Sequence, residues 1–136
     1  MEPFELSEAV SRHFHLFWDN YPFPVMLIRK DRTILDRNRA AQAMGCEPGT
    51  RCSDRGEQAM HKGCLADQAL REGVCKRAVN YIPQVDKVMD SYWIPLSDAS
   101  GLYLHFGIDI TAYAAEGFGR KSVTLLPDAR AASAQA

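Results

Sequence analysis

Three apolar segments in the second half of the chain, residues 74–82, 88–96 and 102–108, are separated only by the short links 83–87 and 97–101. Links of that length cannot carry the chain back across a sheet, so consecutive strands must lie antiparallel, and the three segments read as a meander. Side chains alternate along a strand: Leu102, Leu104, Phe106 and Ile108 share one face, Tyr103, His105 and Gly107 the other, and Tyr92, Ile94 and Leu96 alternate with Trp93. Neither face is polar enough to stand in water, so both are expected to be covered. One would close over helices and any ligand. The other would receive the first helix, from the same chain or from a partner subunit.

Upstream, Leu6, Val10, Phe14, Phe17 and Trp18 recur at steps of four and three, which predicts an amphipathic helix with Glu8, Arg12 and Asp19 off its apolar stripe. His13 and His15 are expected to face solvent. Pro22 and Pro24 end that helix, and residues 25–28 suit a buried strand. Lys30-Asp31-Arg32 turns into Thr33-Ile34-Leu35 to make a hairpin without the favoured Asn-Gly pair. Asn38 can cap a short helix running through Met44, with Gly45 as its stop. Short helical turns are expected over 46–62 and a better helix over 64–72, with Leu65, Ala69 and Leu70 on one face and Gly73 ending it. Thr111 is expected to cap a short final helix, interrupted by Gly117 and Gly119. The Ala-Ser-Gln-rich end has too few large apolar residues to pack and is expected to be disordered.

At 136 residues, 46% hydrophobic and 24% charged, the chain fits one domain. A formal charge of −1 gives little attraction for nucleic acid or an anionic membrane. The longest apolar run, at 24–28, is far too short to span a bilayer, and an N-terminus carrying Glu2 and Glu5 does not read as a signal peptide. A cytoplasmic location is therefore expected, where the four cysteines would be reduced thiols suited to metal binding, redox chemistry or core packing rather than disulfides.

Two strands, a run of short helices and three antiparallel strands form the element order of the PAS fold, and several phrases resemble that family over residues 18–111. Asp19-Asn20-Tyr21-Pro22-Phe23-Pro24 before Val25-Met26-Leu27-Ile28 is similar to the family's entry into its first strand. Asp31-Arg32-Thr33-Ile34-Leu35 with Asn38-Arg39-Ala40-Ala41 resembles its second strand and first core helix. Cys64-Leu65-Ala66-Asp67-Gln68-Ala69-Leu70-Arg71-Glu72-Gly73 resembles a helix of the bacterial PAS domains that carry clustered cysteines, and Asp109-Ile110-Thr111 resembles the junction with a signalling helix. The resemblance implies an α+β PAS fold: a five-stranded antiparallel sheet with short helices on one face and an N-terminal flanking helix. It divides the chain into a flanking helix at 1–20, a PAS domain at 21–111, and a short helix with a disordered tail at 112–136. Against the cysteine-bearing subset, Cys52 and Cys64 match the outer positions, but position 61 is His61 and there is no Cys-x-x-Cys.

The resemblance also implies a pocket between helices and sheet, with Met44, Cys46, Cys52, Met60, His61, Cys64 and Leu65 as candidate lining. Thiolates are the ligands of zinc and iron-sulfur centres. If Cys64 and Cys75 flank a helix they stand on the order of 15 Å apart at about 1.5 Å per residue, too far for one tetrahedral site. Cys46, Cys52 and Cys64, with His61 as a fourth donor, form the more workable metal set; small buried hydrophobes and a reversible thiol switch are the competing readings. His61 also precedes the helix where PAS haem sensors tend to place an axial histidine, while His105 reads as a packed strand histidine. No phrase resembles the Asn-Cys-Arg of flavin photosensors. Cys64 and His61 are the only close nucleophile-base pair, without a third orienting residue or an oxyanion motif, so the chain is not expected to be an enzyme. The function expected is a sensory and signalling module, as in regulation of transcription, that binds a small molecule or senses redox state and relays it to a downstream protein as a homodimer. A metal or iron-sulfur redox protein and a ligand-free interaction module are the alternatives, and the cofactor stays open between none, a small molecule and a metal centre.

Overall fold

A computed structural model describes residues 6–56, 58–97, 101–115 and 124–125. The chain runs α1 (Glu8–Trp18), β1 (Val25–Arg29), β2 (Ile34–Arg37), α2 (Arg39–Ala43), single 3-10 turns at Cys52–Asp54 and Gln58–His61, α3 (Ala66–Glu72), β3 (Lys76–Ile82), β4 (Lys87–Pro95) and β5 (Leu102–Asp109). A last 3-10 turn, Thr111–Tyr113, and a two-residue strand β6 (Thr124–Leu125) follow. The sheet order is β2-β1-β5-β4-β3-β6, antiparallel at every pairing. The first five strands are those expected from the sequence. β6 pairs with the outer edge of β3 within the segment read as an unstructured tail; the rest of 116–136 and the first five residues lie outside the described residues.

The two faces of the sheet are covered by different parts of the chain. On the outer face Val25, Leu27, Leu102, Leu104 and Phe106 pack with Phe14 of α1, joined by Leu6, Val10 and Trp18. The chain's own first helix therefore fills that face. Trp18 and Tyr21 both meet the Phe106 ring, at 5.8 Å between centroids, an arrangement worth about 1 kcal/mol per pair beyond area burial. Phe17 departs from the predicted stripe: it is 75% exposed beside an equally exposed Leu16, because a stripe centred on Phe14 takes in Val10 and Trp18 at i±4 and leaves Phe17 over its edge.

On the inner face, Ile28, Ala78, Trp93 and Tyr103 pack against Ala66 and Ala69 of α3, with Cys52, Cys64, Leu65 and Leu70 around them. Small alanines let α3 lie close to the strands. α3 starts at Ala66 without a side-chain cap and ends at Gly73, whose φ of +67° is the left-handed stop glycine adopts without strain. Cys64 is therefore ahead of the helix and not within it.

Asn38 caps α2 as expected and does more. It is wholly buried; its Oδ1 accepts from Val25 N at 2.9 Å and Ala41 N at 3.0 Å, while Nδ2 donates to Trp18 O at 3.0 Å and Phe23 O at 2.9 Å. One amide thus fastens the end of α1, the start of β1 and the first turn of α2. At the other end the last 3-10 turn begins after Ile110 without a side-chain cap: the Asp109 carboxylate accepts from Thr111 N at 3.0 Å, and Thr111 Oγ1 accepts from Val88 N at 2.9 Å. The hydroxyl expected to cap a helix is spent on the strand edge.

Candidate functional site

The strand registers arrange the inner face in rows. Met26, His105, Trp93 and Lys76 are successive partners across β1, β5, β4 and β3; the next row holds Gly107, Ser91 and Ala78, and the one after it Asp109, Met89 and Asn80. Gly107, Ser91 and Ala78 are small, so this row is a shallow trough between larger neighbours. A Cβ built on Gly107 would stand 3.1 Å from Met89 Cε and 3.5 Å from Ser91 Oγ. A Cβ on Gly63, in the link from the Gln58–His61 turn to α3, would stand 3.4 Å from Asn80 Nδ2. The turn and its link thus form a roof over this part of the sheet.

His105 is the central polar group of the face. Its ring stacks on Trp93 at 4.9 Å between centroids and 14° between planes, and Nδ1 lies 2.8 Å from the carbonyl oxygen of Tyr92. A carbonyl only accepts, so Nδ1 carries the proton and Nε2 presents a lone pair. Burial lowers the pKa of this imidazole, the hydrogen bond to Tyr92 opposes it in part, and His61 and Arg32 lower it further. The ring is neutral. His105 is half-buried. Among the described residues, Nε2 makes no hydrogen bond, and Asn80 Oδ1 is a buried acceptor without a partner.

A second polar cluster borders the first. Tyr103, 1% exposed, stands beside Cys52, with Cys64 and Arg32 close by. Burial drives the Tyr103 phenol far above its ordinary pKa, and also raises Cys52, whose thiol Cys64 raises further. Arg32, in the left-handed region at φ +75°, ties this corner together by donating to Lys30 O at 2.9 Å and Asp67 Oδ1 at 3.1 Å.

The residues singled out from the sequence separate into two groups. Cys52, Cys64 and Leu65 stand with Tyr103 on the inner face, and His61 reaches toward His105 from the roof, its Nε2–H donating to Arg55 O. His61 and Lys62 also line an open cleft of about 640 Å³ with Arg51, Ser53, Asp54 and Gly56. Met60 is half-buried beside Gly56. Met44, 60% exposed, is on the surface away from the trough, and Cys46 packs with Ile34 and Ala41 in a small cluster that Cys52 and Met26 join to the Tyr103 group. Cys46, Cys52 and Cys64 are not gathered into a ligand set: among the described residues no three His, Cys, Asp or Glu side chains are placed to hold a metal ion. Cys75 immediately precedes β3, its thiol 3.5 Å from Lys76 O.

Asn80 and Ser91 were not singled out from the sequence, and His105 was read there as a packed strand histidine, as its stacking on Trp93 shows it to be. The strand period places His105 on the face of Tyr103 and Gly107, and a glycine two residues from a histidine on an inward face was the available signal.

A scan against sequence models of protein families gives no match, and neither does a search of curated protein sequences. Solved structures do match. The fold is similar to a domain of an HTR-like protein from Haloarcula marismortui (TM-score 0.54, 20% identity, covering 66% of this chain and 99% of that one). It is similar to a sensory box sensor histidine kinase from Vibrio cholerae (TM-score 0.53, 18% identity, 74% and 86% covered). A third match is the phage VqmA in its complex with DPO (TM-score 0.59, 18% identity, 78% of this chain and 55% of that one). The chain has a PAS-like α+β fold, with the sheet order 2-1-5-4-3 at its centre. Among the described residues no helix is long and apolar enough to cross a membrane.

Proposed function

We propose that this chain is a sensory module that binds a small molecule between the inner face of its sheet and the roof formed by the Gln58–His61 turn and α3. The observation that carries this reading is the buried acceptor Asn80 Oδ1, left without a partner on the inner face two rows from the His105 ring. A buried acceptor without a partner costs about 1–3 kcal/mol, a cost that a collapsed interaction core would have no reason to retain. The VqmA structure is a complex with DPO, a precedent for a ligand in a protein of this fold. Ligand occupancy would reach a downstream protein through the flanking elements, since α1 packs on the opposite face of the same strands. Leu16 and Phe17, side by side and exposed on α1, support a homodimer built on that helix. No catalytic role is assigned to any residue.

Thermal-shift screening of the protein against a metabolite library, with Gly107→Val in parallel, tests this reading. The added side chain fills the trough, so ligands that raise the wild-type midpoint are expected to leave the variant unmoved. Stabilisation of both proteins alike, or of neither by any compound, would contradict it. A redox reading is the second, favoured by Cys52 and Cys64 bordering one buried tyrosine. It requires that oxidation with diamide link these two thiols.

A further inference from the structure

The two edges of the sheet are closed in different ways. At β2, Ile34 N donates to Thr50 O and Ile34 O accepts from Gly49 N, both at 2.8 Å, Thr33 bridges to Arg51, and Arg37 N donates to the Asp36 carboxylate at 2.9 Å. The four residues of β2 also pair with β1 through a shift of register. A short, irregular edge with a loop over it is poorly shaped to take another strand. β3 is the opposite case. Its seven residues pair with β4 from Lys76↔Trp93 to Ile82↔Lys87 without a shift, and they hold neither glycine nor proline. Its two charged side chains, Lys76 and Arg77, are held by Glu72 and Asp90, so neither is left to repel an incoming strand. Among the described residues, the strand paired with its outer edge is β6, two residues long, with Leu125 opposite Ala78 and Thr124 opposite Val79.

We propose that the outer edge of β3 docks an extended peptide segment of a partner protein, and that β6 is the chain's own strand holding that edge until a longer one displaces it. The pairing with β6 shows that the edge accepts an antiparallel strand. Recognition there runs through backbone N–H and C=O groups, which alternate residues of β3 turn outward, so the partner is selected by an extended, proline-free backbone more than by any one side chain. A segment of about six residues, an ordinary strand length, would cover most of β3 and outcompete the two residues of β6. The 14 residues between Asp109 and Thr124 reach up to about 46 Å, whereas the three strand spacings from β5 to β6 come to about 14 Å. β6 can therefore leave the edge and return while β5 stays in place. Nothing in this edge depends on whether the inner face of the sheet is occupied.

The probe is a synthetic peptide with the sequence of residues 121–127, capped at both ends, beside the same peptide N-methylated at the positions of Thr124 and Leu125. Each is titrated by ¹H–¹⁵N NMR into the full chain and into the full-length variant Thr124→Pro with Leu125→Pro, which removes both N–H groups of β6. The unmethylated peptide is expected to bind the variant about ten-fold more tightly than the wild type, whose own strand competes for the edge, and to shift the amides of β3 while those of β2 stay unmoved. The N-methylated peptide is expected to bind neither protein. Equal binding to the two proteins, no binding to the variant, shifts centred away from β3, or binding of the N-methylated peptide would overturn the proposal. A variant that dimerises through β3 would overturn it in favour of a second copy as the occupant. Hydrogen exchange on the wild type reports whether or not the variant folds: the β3 amides that face β6 are expected to exchange about ten-fold faster than those that face β4, and uniform protection along β3 would overturn the proposal as well.

Discussion

His15 Nε2 lies 2.9 Å from Asp36 Oδ1, joining the first helix to the buried end of β2. The same ring meets Asp19 through Nδ1 at 2.8 Å, and Ser11 donates to the other oxygen of Asp36 at 2.6 Å. The histidine expected in solvent is instead a clasp holding α1 against the sheet.

That clasp makes the docking of α1 pH-dependent. The hydrogen bond with Asp19 raises the His15 pKa, burial opposes it, and the charges of Asp36 and Asp19 raise it further; Arg39 stands 4.0 Å from Asp19 on the other side. A histidine whose folded pKa lies above its unfolded value of about 6.5 stabilises fully below that value and loses its contribution as pH rises through the folded pKa. Urea midpoints of the wild type are expected to fall from about pH 6 to pH 8 by more than those of His15→Gln. Parallel curves for the two proteins would remove the clasp.

Asn38 is the most demanding single side chain of the fold. Asn38→Ala removes bonds to Val25, Ala41, Trp18 and Phe23 at once, and leaves buried backbone groups unpaired at about 1–3 kcal/mol each. A loss of about 3 kcal/mol or more is expected from chemical denaturation. Asn38→Asp, which keeps the acceptor and replaces the donor with a buried charge, is expected to lose at least as much.

Thiol reactivity distinguishes the cysteines. Burial raises the pKa of Cys46, although Arg55 and Arg37 lower it in part, and burial also raises that of Cys52. Alkylation depends on the thiolate, so both are expected to react with iodoacetamide near pH 8 far more slowly than they do in denaturant, as peptide mapping would read. Rapid native labelling of Cys46 would place it outside the Ile34–Ala41 cluster.

Leu16 and Phe17 mark the expected dimer surface. The double substitution Leu16→Glu with Phe17→Glu removes an exposed apolar pair without touching Phe14 or Trp18 beneath it. Analytical ultracentrifugation is expected to find a dimer for the wild type and a monomer for the variant. A wild-type monomer at high micromolar concentration would end the homodimer reading.

Much of the fold was legible because it depends on local signals. Two-residue alternation assigned the faces of β4 and β5, Asn38 and Gly45 bounded α2, and Gly73 ended α3. The site was less legible because it depends on what covers a face. Alternation put Tyr103, His105 and Gly107 together, but nothing local indicates that Asn80 lies under Gly63. The cysteines stood out by residue type and were spread by tertiary placement: Cys46 beside Ile34 and Ala41, Cys52 between that cluster and Tyr103, Cys64 to Tyr103, and Cys75 to the residue before β3. His15 was misplaced because its partner Asp36 is 21 residues away.

The central claim is that the inner face of the sheet is built to be occupied. Native mass spectrometry of the freshly purified protein, before and after addition of the compound that most raises its thermal midpoint, tests it directly. A one-to-one adduct is expected on the wild type, released on denaturation and missing from Gly107→Val. An adduct of equal abundance on both proteins, or none on the wild type, would contradict the account.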